Sequence, residues 1–169
     1  MKKILVSACL IGDPVRYDGA EKRINDRRLN QWLNEGRLVP FCPEVAGGGT
    51  VPRPPAEIVG KDGEAVLNGH AEVIDKTGRN LTRSFVTAAE MALEKVKKHQ
   101  IRIAILSDGS PSCGSTFIHD GTFSGATKAG QGVVAAFLSK NGVAVYGEDQ
   151  LTIAQMYLRT LQNDMPTVD

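Results

Sequence analysis

Three cysteines, Cys9, Cys42 and Cys113, are the residues of this sequence with the clearest chemical potential. Each stands at or just past the C-terminal end of a short apolar run: KILVSA before Cys9, Leu38 to Phe41 before Cys42, and Ile101 to Leu106 with the turn SDGSPS before Cys113. Apolar runs of this length, rich in β-branched residues, predict buried strands. If those strands lie parallel in one sheet, their carboxyl ends share an edge and thiols far apart in sequence meet there. The plainer alternative is three small hydrophobes, since a free cysteine packs as a small apolar residue. Cys113 fits that alternative poorly, because Ser110, Ser112 and Gly114 around it offer little to bury it.

Three thiolates without a fourth suit a metal site with one open position. Structural zinc takes four protein ligands and catalytic zinc favours nitrogen and oxygen donors, so an all-thiolate trio points toward iron and sulfur. Fe-S clusters are held by cysteine thiolates; a 4Fe-4S cube on three of them leaves one iron bare, and a bare iron is a Lewis acid. The close cysteine runs of ferredoxins are absent, so two rivals stay open. One is a sulfurtransferase that carries a persulfide on Cys113. The other is a non-catalytic iron-sulfur or metabolite sensor. None of His70, His99 and His119 follows an expected strand end closely enough to be the evident base of a nucleophilic thiol.

The elements that must position these residues alternate. Leu29, Trp32 and Leu33 recur at helical spacing before Gly36, and SFVTAAEMALEKVKKHQ (residues 84–100) carries an apolar stripe from Phe85 to Val96 with lysines in its last turn. A further helix runs from Gly132 to Asn141, VAVYG gives a fourth strand, and EDQLTIAQMYLRTLQ gives a last helix whose free apolar face would allow a homodimer. Strands and helices in alternation predict an α/β fold, Rossmann-like, with a mostly parallel sheet, helices on both faces and the three cysteines at its C-terminal edge. The long stretch from Pro43 to about Thr82 is expected to hold a small hairpin, with EAVLNG and AEVID as its strands. The triple glycine at 47–49 lacks the Lys-Ser or Lys-Thr of a phosphate loop, and Gly130 and Gly132 before a helix read as packing.

Composition narrows the partners. The 169 residues favour one domain, 1–169, and 20 Lys plus Arg against 19 Asp plus Glu give a net charge of +1, no reason to expect nucleic acid or a membrane surface. No apolar run is long enough to span a bilayer, MKKILVSACLIGDP is too short and too soon broken for a signal peptide, and an odd number of cysteines argues against a disulfide framework. The expectation is a cytoplasmic protein acting on a small molecule.

With these residues in view, the sequence resembles the thiouracil desulfurase (2-thiouracil desulfidase) family. The matching pieces are ACLIG with RYDG (8–12, 16–19), PFCPEVAGG with PRPPAEI (40–48, 52–58), SPSCG (110–114), and further along HDGTF and GQGVVAAFL. The resemblance implies a 4Fe-4S cluster held by Cys9, Cys42 and Cys113 with one open iron, which takes the sulfur of a thiolated nucleobase such as 2-thiouracil while water supplies the replacing oxygen. It implies catalytic roles for Glu44 and Ser110. Glu44 lies two residues past Cys42 on a turn that Pro43 stiffens, within reach of a ligand beside that cysteine. Arg53 and Tyr17 are candidates for orienting a planar base, with Glu57 or Asp18 as an alternative structural partner of the arginine, and Ser112 is a candidate contact that also shapes the turn. The SDG before SPSCG departs from the basic sequence that the family carries there, which makes Asp108 a candidate substrate contact.

Overall fold

The apolar run after Lys3 forms β1 (Ile4–Ser7) in a computed structural model that describes residues 1–164. A 3-10 turn, Ala8–Ile11, carries Cys9. Asp26 starts α1 (Arg27–Asn34) by accepting from the Arg28 and Leu29 amides, which would otherwise be orphaned at a helix start. β2 (Leu38–Phe41) leads through Cys42 into the one-turn α2 (Pro43–Ala46), where Pro43 fills a position whose N–H would be unpaired anyway. Then come β3 (Ala56–Val59), α3 (Gly63–Leu67), β4 (Glu72–Asp75), α4 (Thr82–Lys98), β5 (Ile103–Leu106), β6 (Phe117–His119), β7 (Thr127–Ala129), α5 (Val133–Lys140) and β8 (Ala144–Gly147). A 3-10 turn, Glu148–Gln150, joins β8 to α6 (Leu151–Asn163).

Four strands form a parallel sheet in the order β2-β1-β5-β8, with Ile4 opposite Leu38, Leu5 opposite Ala104 and Ile103 opposite Ala144. Their side chains alternate between faces, as the period of two requires. Leu5, Ala104 and Leu106 pack with Phe85, Ala89 and Ala92 of α4 and with Leu138 of α5. Ile4, Val6, Ile103 and Ile105 pack on the other face with Leu29 and Trp32 of α1 and Leu151, Ala154 and Leu158 of α6. Each large side chain so buried contributes roughly 1.5–3 kcal/mol. This is the expected α/β arrangement with helices on both faces.

The chain steps from β1 to β2 on one side, then returns to place β5 on the other side of β1. The strand order therefore reverses between β1 and β5, and in open α/β sheets the crevice at such a reversal, outside the carboxyl ends, is where ligands bind.

Several elements differ from the sequence expectation. EAVLNG is not a strand: Asp62 caps it, its Oδ1 accepting from the Ala65 amide at 3.0 Å, and α3 results. AEVID does form a strand, β4, but its antiparallel partner is β3 from the AEIV that follows the prolines. The glycine-rich stretch around Phe117 and Phe123 is a hairpin, β6 with β7, whose three-residue strands are too short to show alternation. Leu33 lies outside the buried stripe of α1, and α6 leaves Ile153 and Met156 exposed. Among the described residues, no helix is long and apolar enough to cross a membrane.

Candidate active site

A cavity of about 480 Å³ opens at the carboxyl edge of the sheet, and Cys9, Cys42 and Cys113 all line it. Cys9 sits in the 3-10 turn just beyond β1, Cys42 directly follows β2, and Cys113 lies in the turn beyond β5. That last turn is built around Ser110, whose Oγ accepts from the amides of Ser112 and Cys113, each at 3.1 Å, and whose carbonyl accepts from Gly114 at 2.9 Å.

Contrary to the sequence expectation, Cys113 is the most buried of the three, at 5% exposure. The start of α5 covers it: the amides of Val133 and Val134 donate to the carbonyls of Pro111 and Ser112 at 2.8 and 2.9 Å. Gly132 permits this approach, since a Cβ there would stand 2.6 Å from the Ser112 carbonyl oxygen. The α5 N-terminus thus grips the cysteine turn, and the glycines before it serve packing.

Burial pushes the Cys113 thiol up to about 12; a hydrogen bond from Ser7 opposes the rise and a neighbouring Cys9 thiolate would add to it. Burial likewise raises Cys9, against a hydrogen bond with Ser107 and with a further push from the Cys42 charge, and it raises Cys42 against the Val45 amide. The thiols feel one another's charge, and in the free protein each is held protonated, the opposite of an activated nucleophile.

Glu44, on α2, faces the same cavity and is held from two sides. Ser112 Oγ donates to its Oε2 at 3.1 Å, with Ser110 Oγ at 3.5 Å, while Arg53 Nε approaches Oε1 at 3.4 Å. The two serine hydroxyls are 2.9 Å apart, so Ser110, Ser112 and Glu44 form one hydrogen-bonded chain. Arg53 also donates to the Val15 and Thr50 carbonyls, each at 3.0 Å, so its ionic partner is Glu44 rather than Glu57 or Asp18. Tyr17 lines the cavity with its ring partly exposed and the Arg16 guanidinium 5.7 Å from its centroid.

Asp108 borders the cavity, yet its carboxylate turns into the following loop. Its Oδ1 accepts from the Ser115 and Thr116 amides, each at 2.8 Å, and its Oδ2 from the Thr116 hydroxyl at 2.7 Å. Burial opposes ionisation, but the Thr116 and Ser115 donors outweigh it and hold the carboxyl below the usual range. Gly147 makes room for it, because a Cβ there would lie 2.2 Å from Oδ2.

A family model described as 2-thiouracil desulfurase matches residues 4–150. The chain belongs to the 2-thiouracil desulfurase family. It is 41% identical over 148 residues to the uncharacterized protein YbbK of Bacillus subtilis (strain 168), which covers 88% of this chain and 97% of the relative. Among solved structures, the 4Fe-4S-dependent thiouracil desulfidase TudS superposes with a TM-score of 0.86 at 44% identity, covering 95% of this chain and 99% of TudS.

For a member of the 2-thiouracil desulfurase family, the donor set at the cavity is informative. Among the described residues, no three His, Cys, Asp or Glu side chains gather closely enough to hold a single metal ion. A 4Fe-4S cube bonds each thiolate to a different iron, so its ligands stand further apart than those of one ion, and three soft thiols around one cavity fit that group.

The sequence reading gives no site role to several residues of the cavity. Lys22 reaches in to donate to Ser107 Oγ at 3.0 Å and pairs with Glu148, whose other oxygen accepts from the Asp108 amide at 2.7 Å. Phe117, His119 and Phe123 line the cavity from the β6–β7 hairpin. Nothing in EKR marks Lys22, whereas recognising HDGTF as the end of a strand would have pointed to His119.

Proposed function

We propose that this chain is a 4Fe-4S-dependent desulfidase that removes sulfur from a thiolated nucleobase such as 2-thiouracil and puts oxygen from water in its place. The observation that carries the reading is the convergence on one cavity of three thiols and the Glu44–Ser112–Ser110 chain. Family membership and the likeness to TudS support it.

Cys9, Cys42 and Cys113 would hold the cluster, leaving one iron without a protein ligand. When bound, the cluster supplies a Lewis-acidic iron with affinity for sulfur. Glu44 is the general base that takes the proton of the attacking water, and Ser112 and Ser110 relay protons between it and the substrate. Arg53 fixes the Glu44 carboxylate and Tyr17 flanks the base, while Asp108 is a positioning residue that shapes the wall through its loop. We place this single-domain protein, 1–169, in the cytoplasm on its unpaired cysteines, acting on a small molecule with no nucleic-acid or membrane partner.

A persulfide carrier on Cys113 is disfavoured by the burial and raised pKa of that thiol, and a sensor would leave the Glu44 network without a task. The test is anaerobic reconstitution with iron and sulfide followed by turnover of 2-thiouracil. Incorporation of about four irons per chain, lost on replacing any one cysteine by serine, is expected. In Glu44→Gln, turnover should fall roughly 100- to 10,000-fold at unchanged iron content. Activity that survives in the cluster-free protein would overturn the proposal.

A further inference from the structure

We propose that His119 reads the edge of the substrate base away from the sulfur, donating a hydrogen bond from Nε2 to an exocyclic oxygen; the proposal rests on the desulfidase reading. The cavity has two sides. The thiols, Glu44 and the two serines belong to the strand ends, whereas Phe117, His119, Phe123 and Thr127 come from the β6–β7 hairpin. Phe117 and Phe123 bring aromatic rings to this wall, the side-chain type on which a planar heterocycle stacks.

The hairpin is fixed in place. Buried Glu57 accepts from the Gly121 and Phe123 amides at 2.9 and 3.2 Å, and the Gly109 amide donates to the Phe117 carbonyl at 3.1 Å. Gly109, at φ +83°, lies beside both rings: a Cβ there would press on the Phe117 ring at 3.3 Å and touch His119 Nε2 at 4.0 Å.

His119 Nδ1 is buried and has no hydrogen-bond partner, which leaves Nε2, beside Gly109, as the hydrogen-bonding atom toward the cavity. A buried N–H without an acceptor is rarer than an acceptor without a donor. The neutral ring therefore keeps its proton on Nε2 and presents a donor. The bond from Nδ1 that orients an acid–base histidine is missing here, so the ring serves recognition.

This selects a chemical class. An oxo group on the base meets the Nε2 donor directly. An amino group in the same place would need the Nε2 lone pair and would drive the proton onto Nδ1, where nothing accepts it. The preference for oxo over amino pyrimidines should be about 10- to 100-fold.

Binding of uracil and cytosine, which carry no sulfur, is measured by calorimetry on the reconstituted protein and its His119→Phe and His119→Gln variants. KM and kcat for 2-thiouracil and 2-thiocytosine are measured in parallel, with iron content and thermal midpoint as checks of folding. The wild type should prefer uracil. His119→Phe should bind uracil about 10-fold more weakly and raise KM for 2-thiouracil more than it lowers kcat. His119→Gln, whose amide can donate or accept, should retain uracil affinity and lose the preference. Equal wild-type affinity for the two bases, no binding of either, or unchanged uracil affinity in His119→Phe overturns the assignment. Should no thio-compound be turned over while the uracil preference follows the His119 series, the desulfidase reading falls and the His119 assignment stands.

Discussion

Ser110 and Ser112 differ in what each would cost to remove. The Ser110 oxygen is the acceptor for two turn amides, whereas Ser112, 1% exposed, donates its hydroxyl to the Glu44 carboxylate. Ser110→Ala should lower stability by about 1–3 kcal/mol together with activity, since both amides lose their acceptor. Ser112→Ala should lower kcat with a smaller stability change, and urea unfolding beside steady-state kinetics separates the two. The sequence pattern of strand ends made the cysteines legible one by one, and the spacing of CPE made Glu44 legible. The catalytic role expected of Ser110 rests on the family resemblance, since a turn signal alone does not say which hydroxyl the turn points inward. The sequence pattern also read Cys113 as uncovered, since the covering residues come from α5, remote in sequence.

Elements rather than residues hold the third cysteine. The α5 N-terminus and the Cys113 turn touch through Gly132, where an added Cβ would strike the Ser112 carbonyl. Gly132→Ala should push the turn outward and reduce iron incorporation on reconstitution while Cys9 and Cys42 stay in place, read as iron per chain against far-UV circular dichroism. The Asp108 loop is a second such joint. Because its carboxyl is held below the ordinary value of 3.8, the stability it contributes is present above that value and lost as pH falls through the lower folded value. Asp108→Asn should therefore flatten the acid limb of the stability profile, measured by urea unfolding from neutral to low pH. The main strands were legible as apolar, β-branched runs and the long helices from their periodicity; α2, α3, β6 and β7, each three to five residues, carry neither signal.

At the scale of the whole molecule, the two apolar layers on either face of the sheet are built mainly from strand and helix side chains, with Cys113 the one cysteine buried within them. Chelating the iron should accordingly leave far-UV circular dichroism unchanged, and a collapse to the unfolded spectrum would contradict this. The apoprotein should be alkali-sensitive. Cys113 rises from its ordinary 9.0 to about 12, so below pH 9 folded and unfolded chains both keep the proton; between 9 and 12 only the folded chain does, and stability drains away. The full loss is about 4 kcal/mol from this one group, measurable by denaturant unfolding across that window. The alternation of strands and helices was legible in the sequence as the mark of an α/β protein, whereas the strand order that reverses beside the cavity was not.

The crevice between β1 and β5 also sets a timetable. Its thiols come from three loops, the first near the start of the chain and the third beyond a strand that must pair with β1 across the intervening α4. A ribosome-bound chain that has emerged only as far as α4 has two of its thiols and neither the partner strand nor the covering helix. No cysteine-bearing fragment of this protein should serve as a miniature site in the way a close cysteine run does. With the cluster on these three thiols as proposed, loading should follow synthesis and folding, and a carrier of iron and sulfur would have to present them to a finished sheet edge.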